Sequence, residues 1–180
     1  SFFFLKSHRW NISPDSELLW NEKVFEFSDF DIRNGDHLVN LEGRVSEDPK
    51  DWLYFQVRDF DLTDLNGILG GAITIGGVLN VDGGVSDVYN NIRFMSLSDI
   101  KNFVVDGELV GDLLVDNKWD KEKNSVIING NLKRDKKETF KFSGNYFTEK
   151  EEENLALDLI FDYTDISFLN AFSDPDLYTD

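Results

Sequence analysis

The chain has 180 residues, with 18 Lys and Arg against 35 Asp and Glu, for a net charge of −17. That balance excludes most nucleic-acid binders, which need a basic face to displace counterions from phosphates, and it argues against docking on an anionic lipid surface. No cysteine is present, so disulfides, thiolate metal sites and cysteine nucleophiles are excluded, while an apolar share of 41% is enough to build a core.

From the N-terminus onward, Phe2–Leu5 is apolar but shorter than the core of a signal peptide. No window reaches the roughly 18–20 apolar residues of a membrane-spanning helix. A chain that starts at Ser1 with one internal methionine, Met95, is expected to be an excised piece, with any targeting or anchoring segment outside it. From Val24 to Tyr163 the pattern has period two. Val39, Leu41 and Val45 alternate with polar residues, as do Leu53, Phe55 and Val57. Val105, Leu109, Leu113 and Val115 share one parity over a long run, followed by Val126, Ile128 and Leu132, then Phe140, Phe142 and Tyr146. Leu155, Leu157, Leu159, Phe161 and Tyr163 form the last run. Successive side chains of a strand point to opposite faces, so each run predicts a strand with one apolar and one wetted face.

Asn34-Gly35, Asp82-Gly83-Gly84, Lys121–Asn124 and Arg134–Lys137 read as turns, and the short gaps favour antiparallel hairpins. Thr63–Leu69 and Ser167–Phe172 are expected to form one or two helical turns each, capped by Thr63 and Ser167. Little other helix is expected. The chain also repeats itself: Leu53–Asn66 matches Leu157–Asn170 at a shift of 104, and Val39–Val45 matches Phe140–Tyr146 at a shift of 101, giving an internal repeat over 38–70 and 139–173. A repeat of this length suggests a longer array of which the chain is one fragment.

Enzyme signatures are missing: there is no G-x-S-x-G, H-E-x-x-H or Walker loop, and Gly67–Gly71 opens no βαβ unit. His8 and His37 sit in polar, turn-like contexts that read as solvated surface. Asp59/Asp61 and Asp174/Asp176 lack the spacing of a calcium loop. No cofactor and no metal is expected. The apolar faces themselves remain, and strands with one apolar face must bury it against a second sheet, by closing into a barrel, or by curling into a trough around a bound acyl chain. Gly43, Gly107, Gly111, Gly130 and Gly144 fall on the apolar parity, where they permit curvature or accept a bulky neighbour. The apolar positions named above, apart from Val45, Leu53, Tyr146 and Tyr163, are the candidate lining of a hydrophobic groove for lipid or another hydrophobic client. Periodicity alone does not choose between trough and sandwich.

The segment Gly76–Phe94, GGVLNVDGGVSDVYNNIRF, resembles a recurring phrase of the TamB family, the large β-rich subunit of the translocation and assembly module in Gram-negative envelopes. Gly83, Gly84, Ser86, Asp87 and Phe94 fit the phrase, whereas the usual proline is replaced in the Asn90-Asn91 region. Asp99–Phe103, Gly107–Leu113, Lys118–Asp120 and the two Leu-Asn endings are also similar, and the likeness, closest to Bacteroidota versions, spans roughly the whole chain. The resemblance implies an all-β, elongated, curved antiparallel sheet, a β-taco or open trough with an apolar concave face. It implies a non-enzymatic periplasmic segment of an inner-membrane-anchored protein, with membrane contact only through regions outside this chain. It further implies phospholipid transport between the membranes, support of outer-membrane protein assembly and secretion, and a BamA/TamA-like outer-membrane barrel as partner. Two other readings stand beside it: a β-scaffold that pairs strands with such a barrel, and an exported glycan-binding sandwich using Trp10, Trp20, Trp52 or Trp119.

Overall fold

Hairpin follows hairpin along the chain until one antiparallel sheet of twelve strands has formed. In the computed structural model the strands are β1 (Phe2–Leu5), β2 (His8–Ile12), β3 (Glu17–Asn21), β4 (Val24–Asn34), β5 (His37–Val45), β6 (Trp52–Asp61), β7 (Ile75–Ser86), β8 (Arg93–Val105), β9 (Glu108–Asp120), β10 (Ser125–Arg134), β11 (Lys137–Tyr146) and β12 (Leu155–Phe161). The structure describes residues 1–5, 8–70, 73–135, 137–148 and 154–161. Strand order follows chain order from β4 to β12, and β2 and β3 lie end to end along the free edge of β4. The sheet is open, with β1 and β12 at its ends, so the architecture is a single curved sheet and not a sandwich or barrel.

Directly opposed residues in an antiparallel ladder project to the same side. The register Ile32↔Val39↔Val57↔Val81 continues on the same side into Ser98↔Val115↔Gly130↔Phe142↔Leu159, so one apolar face runs unbroken from β4 to β12. The opposite, outer side carries rows such as Asn40–Gln56–Asp82–Leu97–Asp116–Asn129–Ser143–Asp158. Ion pairs on this side, among them Arg58–Asp82 at 2.6 Å and Lys118–Asp116 at 2.7 Å, stay near water.

Curvature has a local cause. A four-residue phrase, apolar-x-Asp/Asn-Phe, occurs at 27–30, 57–60 and 100–103, and each time the register slips within it. Asp29, Asp59 and Asn102 take left-handed conformations with φ of 47°, 51° and 50°. Each backbone N–H then donates to a side chain on the next strand: Asp29 to Glu42 Oε2 at 2.9 Å, Asp59 to Asn80 Oδ1 at 3.1 Å, and Asn102 to Asp112 Oδ1 at 2.9 Å. A bulge bends its strand and returns the following residue to the same face, which is why Phe30, Phe60 and Phe103 all point inward. Further slips between Gly76 and Val78 and between Leu132 and Lys133 place the bulges of β6–β11 along one margin of the sheet. There the strand ends fold inward, and Val105, Val110 and Leu132 form a buried cluster with Ile73, Phe103, Leu113 and Phe140 packed against it.

Several sequence expectations change. Asp82-Gly83-Gly84 is not a turn but the middle of β7, opposite Gln56, Phe55 and Tyr54. The run from Val105 to Val115 is not one strand: the turn Asp106-Gly107, with φ of 47° and 83°, separates β8 from β9. The helical segment after β6 shrinks to a single 3-10 turn, Leu62–Leu65, capped by Asp61 and not Thr63, because the Asp61 carboxylate accepts from the Thr63 N–H at 2.9 Å. The expected helix at 167–172, and the C-terminal part of the repeat, lie outside the described residues.

Candidate functional site

The inner face is built from both kinds of strand position that alternation and bulging supply. Val39 and Leu41 of β5 oppose Val57 and Phe55 of β6. Leu113 and Val115 of β9 oppose Leu132 and Gly130 of β10, and Val126 opposes Trp119. Phe140 and Phe142 of β11 oppose Phe161 and Leu159 of β12, while Gly144 opposes Leu157 and Tyr146 opposes Leu155. Ile128 opposes Gly144, and Val105 ends β8 inside the buried cluster. The face therefore gathers the proposed groove residues with one exception. Leu109 pairs with Val104, is 44% exposed and faces away from Leu113, because the slip at Val110 breaks the parity between them. Val110 takes the inward place, 6% exposed. Phe27, Phe30, Phe60, Phe94 and Phe103 also belong to the face; a strict two-residue period passes over Phe30, Phe60 and Phe103, and the recurring apolar-x-Asp/Asn-Phe phrase is the signal that finds these three.

Two glycines leave room for rings. A Cβ on Gly130 would collide with the Phe142 ring, and one on Gly83 with the Phe55 ring, so each Phe lies flat over the neighbouring strand. Phe55 thereby reaches Phe94 across β7, with centroids 6.2 Å apart. Gly43 and Gly144 instead press on backbone carbonyls, those of Trp52 and Ala156.

The two margins differ. At the bulged margin β2 pairs with β4 only through Asn11 and Ile12, then runs past the β4–β5 turn. There Trp10, 2% exposed, packs its ring on Phe60 at 5.8 Å and on His37 at 6.2 Å. His8 Nδ1 lies 3.1 Å from the buried carboxylate of Asp64. His8, with its side chain 49% exposed, lies at the surface as the sequence reading expects, and both histidines also make contacts that secure this margin. At the opposite margin Ile92, Phe94, Val126, Ile128 and Tyr146 line a cleft of about 280 Å³. Asn91 ties its rim, accepting from Thr148 Oγ1 at 2.7 Å and donating to Asn124 Oδ1 at 2.7 Å. Along β12 every residue is exposed, including the inward Leu155, Leu157, Leu159 and Phe161.

Charge is kept off this face. Its polar members are neutral, chiefly Ser96, Ser98 and Asn117, with Asn117 Nδ2 donating to Ser96 Oγ at 2.8 Å. On the outer side burial pushes the Asp31 carboxyl up, but hydrogen bonds from Arg33 and Asn40, with the Arg33 charge, outweigh it and hold the group below its ordinary value. Among the described residues no group of three acidic or imidazole side chains is placed to hold a metal ion, and no helix is long and apolar enough to cross a membrane. Of the four tryptophans, Trp10 is buried, Trp119 faces inward opposite Val126, Trp52 lies on the outer side, and Trp20 is 72% exposed and stacked on Phe25 at 5.9 Å. No family model, curated protein or solved structure matches the chain.

Proposed function

We propose that the chain is a non-enzymatic segment of a TamB-like envelope protein whose apolar inner face carries phospholipid acyl chains between the inner and outer membranes of a Gram-negative cell and supports outer-membrane protein assembly. The observation that carries the binding part of this reading is the continuous inner face, apolar from β4 to β12, open along β12 and free of charged side chains through its middle. Backbone groups favour hydrocarbon over polypeptide as its occupant. The inner strands from β4 to β11 use their N–H and C=O groups in ladders on both sides. A peptide laid on this face would leave its own groups unpaired, at about 1–3 kcal/mol for each one buried. A hydrocarbon has none to satisfy and gains about 0.8 kcal/mol for each methylene buried. Envelope location, transport direction and the barrel partner rest on the sequence resemblance.

A paired substitution tests the groove. Leu159 and Ile160 are neighbours on β12, 52% and 60% exposed, and project to opposite sides. Both tolerate a solvated carboxylate in the free protein. L159D is expected to abolish copurified amphiphile, measured by native against delipidated mass spectrometry, and transfer of labelled phospholipid between vesicles, while I160D retains both. Equal behaviour of the two variants removes the inner face from the lipid path. A second reading, strand pairing with a barrel protein, is favoured by the full exposure of β12, which pairs only with β11 among the described residues and carries neither proline nor lysine to discourage pairing. In that case A156K, which sets a lysine on the outer side of this edge strand, weakens partner capture and leaves lipid retention intact.

A further inference from the structure

The outer side of β6–β9 holds a second surface, independent of the groove. Alternation puts Trp52, Tyr54 and Gln56 on this side of β6. Gly84 of β7 stands opposite Tyr54, and Met95 of β8 stands opposite Gly84. Because Gly84 has no side chain, the two rings lie down over the sheet: a Cβ there would come within 3.1 Å of Tyr54 Cδ1 and 3.2 Å of Trp52 Cε3. The rings stack with centroids 6.1 Å apart and planes inclined by 17°, and together they form an aromatic platform on this side. Tyr54 is 47% exposed and Leu97, beside it, 51%. Next to the platform is a shallow depression of about 430 Å³ bordered by Gln56, Asp82, Asp116 and Lys118.

The chemistry of the rim narrows the ligand. Asp82 is paired with Arg58 at 2.6 Å and Asp116 with Lys118 at 2.7 Å, so the rim is close to electrically neutral. A cation would have to displace a lysine or arginine already in place. An anion meets cations whose charge is spent and a chain of net charge −17. A hydrocarbon would have to strip water from two ion pairs and an amide, which is costly without replacement bonds. A neutral sugar meets none of these obstacles. Each hydroxyl donates one hydrogen bond and accepts others, so it joins an ion pair at the carboxylate or at the cation without breaking it. The C–H face of a pyranose ring lies against an aromatic plane, burying apolar area while its polar edge reaches the rim.

We propose that Trp52 and Tyr54, with Gln56, Asp82, Asp116 and Lys118 around them, form a binding platform for a neutral saccharide chain. The open, shallow shape sets a weak affinity for a short oligosaccharide, about 1 mM in Kd, strengthened by multivalent presentation on a polymer. Titration of the isotope-labelled chain with neutral hexasaccharides of glucose, mannose and N-acetylglucosamine, followed by backbone amide shifts, tests it. Saturable shifts are expected at Tyr54, Gly84 and Leu97 with at least one of the three sugars. Y54A should weaken binding at least tenfold, Y54F should retain it, and W20A, which removes a still more exposed ring elsewhere, should leave it unchanged. L159D should also bind sugar normally, which separates this site from the groove. The proposal is overturned if none of the sugars gives saturable shifts, if Y54A binds as well as the parent, or if tetramethylammonium or a short alkyl glycoside aglycone, and not the sugar, produces the shifts at the platform.

Discussion

Replacing Gly130 by alanine sets two opposed effects against each other, and their sum has a sign. Alanine restricts the unfolded chain more than glycine, which by itself stabilises a strand position by about 0.4–1 kcal/mol. Nothing in the backbone forbids it, since Gly130 is not among the residues with positive φ. The three nearest atoms to the new Cβ, however, all belong to the Phe142 ring. That ring also packs on Phe140, at 5.7 Å between centroids, which resists its sliding toward that end of β11. Forcing it off the sheet is an overpacking change of about 1–3 kcal/mol. The clash wins, and G130A should lose about 1–2 kcal/mol net, or about 2–8 °C in melting temperature for a chain of this length. In an F142L background the shorter side chain no longer occupies the Cβ position, and the same G130A change should become neutral or stabilising. Urea midpoints of the four proteins of the cycle measure this. Additivity within about 0.5 kcal/mol would mean that Gly130 and Phe142 do not share that space, and the account of ring-over-glycine packing on the inner face would be refuted.

W10A should cost about 3–5 kcal/mol in chemical denaturation, because Trp10 is 2% exposed on Phe60 and His37, while W20A at an exposed ring should stay within about 0.5 kcal/mol of the parent. At the β6 bulge, D59V should destabilise by about 1–2 kcal/mol because a β-branched residue resists φ of 51°, and D59G should not; N80A should cost about 1 kcal/mol by leaving the Asp59 N–H without its acceptor. Asp31 has a lowered carboxyl pKa, so its contribution is present above the unfolded-state value and is lost as the pH falls through the folded value. D31N should therefore be less stable than the parent at neutral pH, by about 0.2–1 kcal/mol for so exposed a pair, with the gap narrowing below about pH 5; a constant gap would contradict the assignment.

Much of this fold is written in the alternation of side chains, because a period of two needs no tertiary information. The strands around Val39–Val45, Leu53–Val57, Val126–Leu132, Phe140–Tyr146 and Leu155–Phe161 follow it directly. What alternation hides is any place where the period slips. Leu109 and Leu113 share odd numbers, yet they face opposite sides, because the slip at Val110 comes between them. Gly83 and Gly84 looked like a turn because glycine pairs usually are; here each serves one side of the sheet, Gly83 under Phe55 and Gly84 beside Tyr54. The partners that make those glycines necessary lie nearly thirty residues upstream, and local sequence does not reveal them. The same holds for His8, whose contact with Asp64 spans 56 residues.

The bulges also bear on why one sheet suffices. A flat sheet with an apolar face needs a second layer to cover it. Here the bent ends of β6–β11 fold over their own inner face and bury Val105, Val110 and Leu132, while β2 lays Trp10 over Phe60. That cover reaches only the bulged margin. Through the middle, Val39, Leu41, Phe55, Val57, Val115, Ile128 and Phe142 stay half-buried, and on β12 Leu155, Leu157, Leu159 and Phe161 are open. A continuous strip of this kind is the sort of surface that soluble domains rarely leave uncovered without a use. Side chains that needed cover only for stability would gain more from a longer inward fold at the second margin, where instead the Asn91–Thr148 contact holds a cleft beside Phe94 and Tyr146. Under the proposed function, the asymmetry between a sealed margin and an open one serves the uptake and release of hydrocarbon: enough self-packing to hold the curvature, and an apolar strip left available to a ligand.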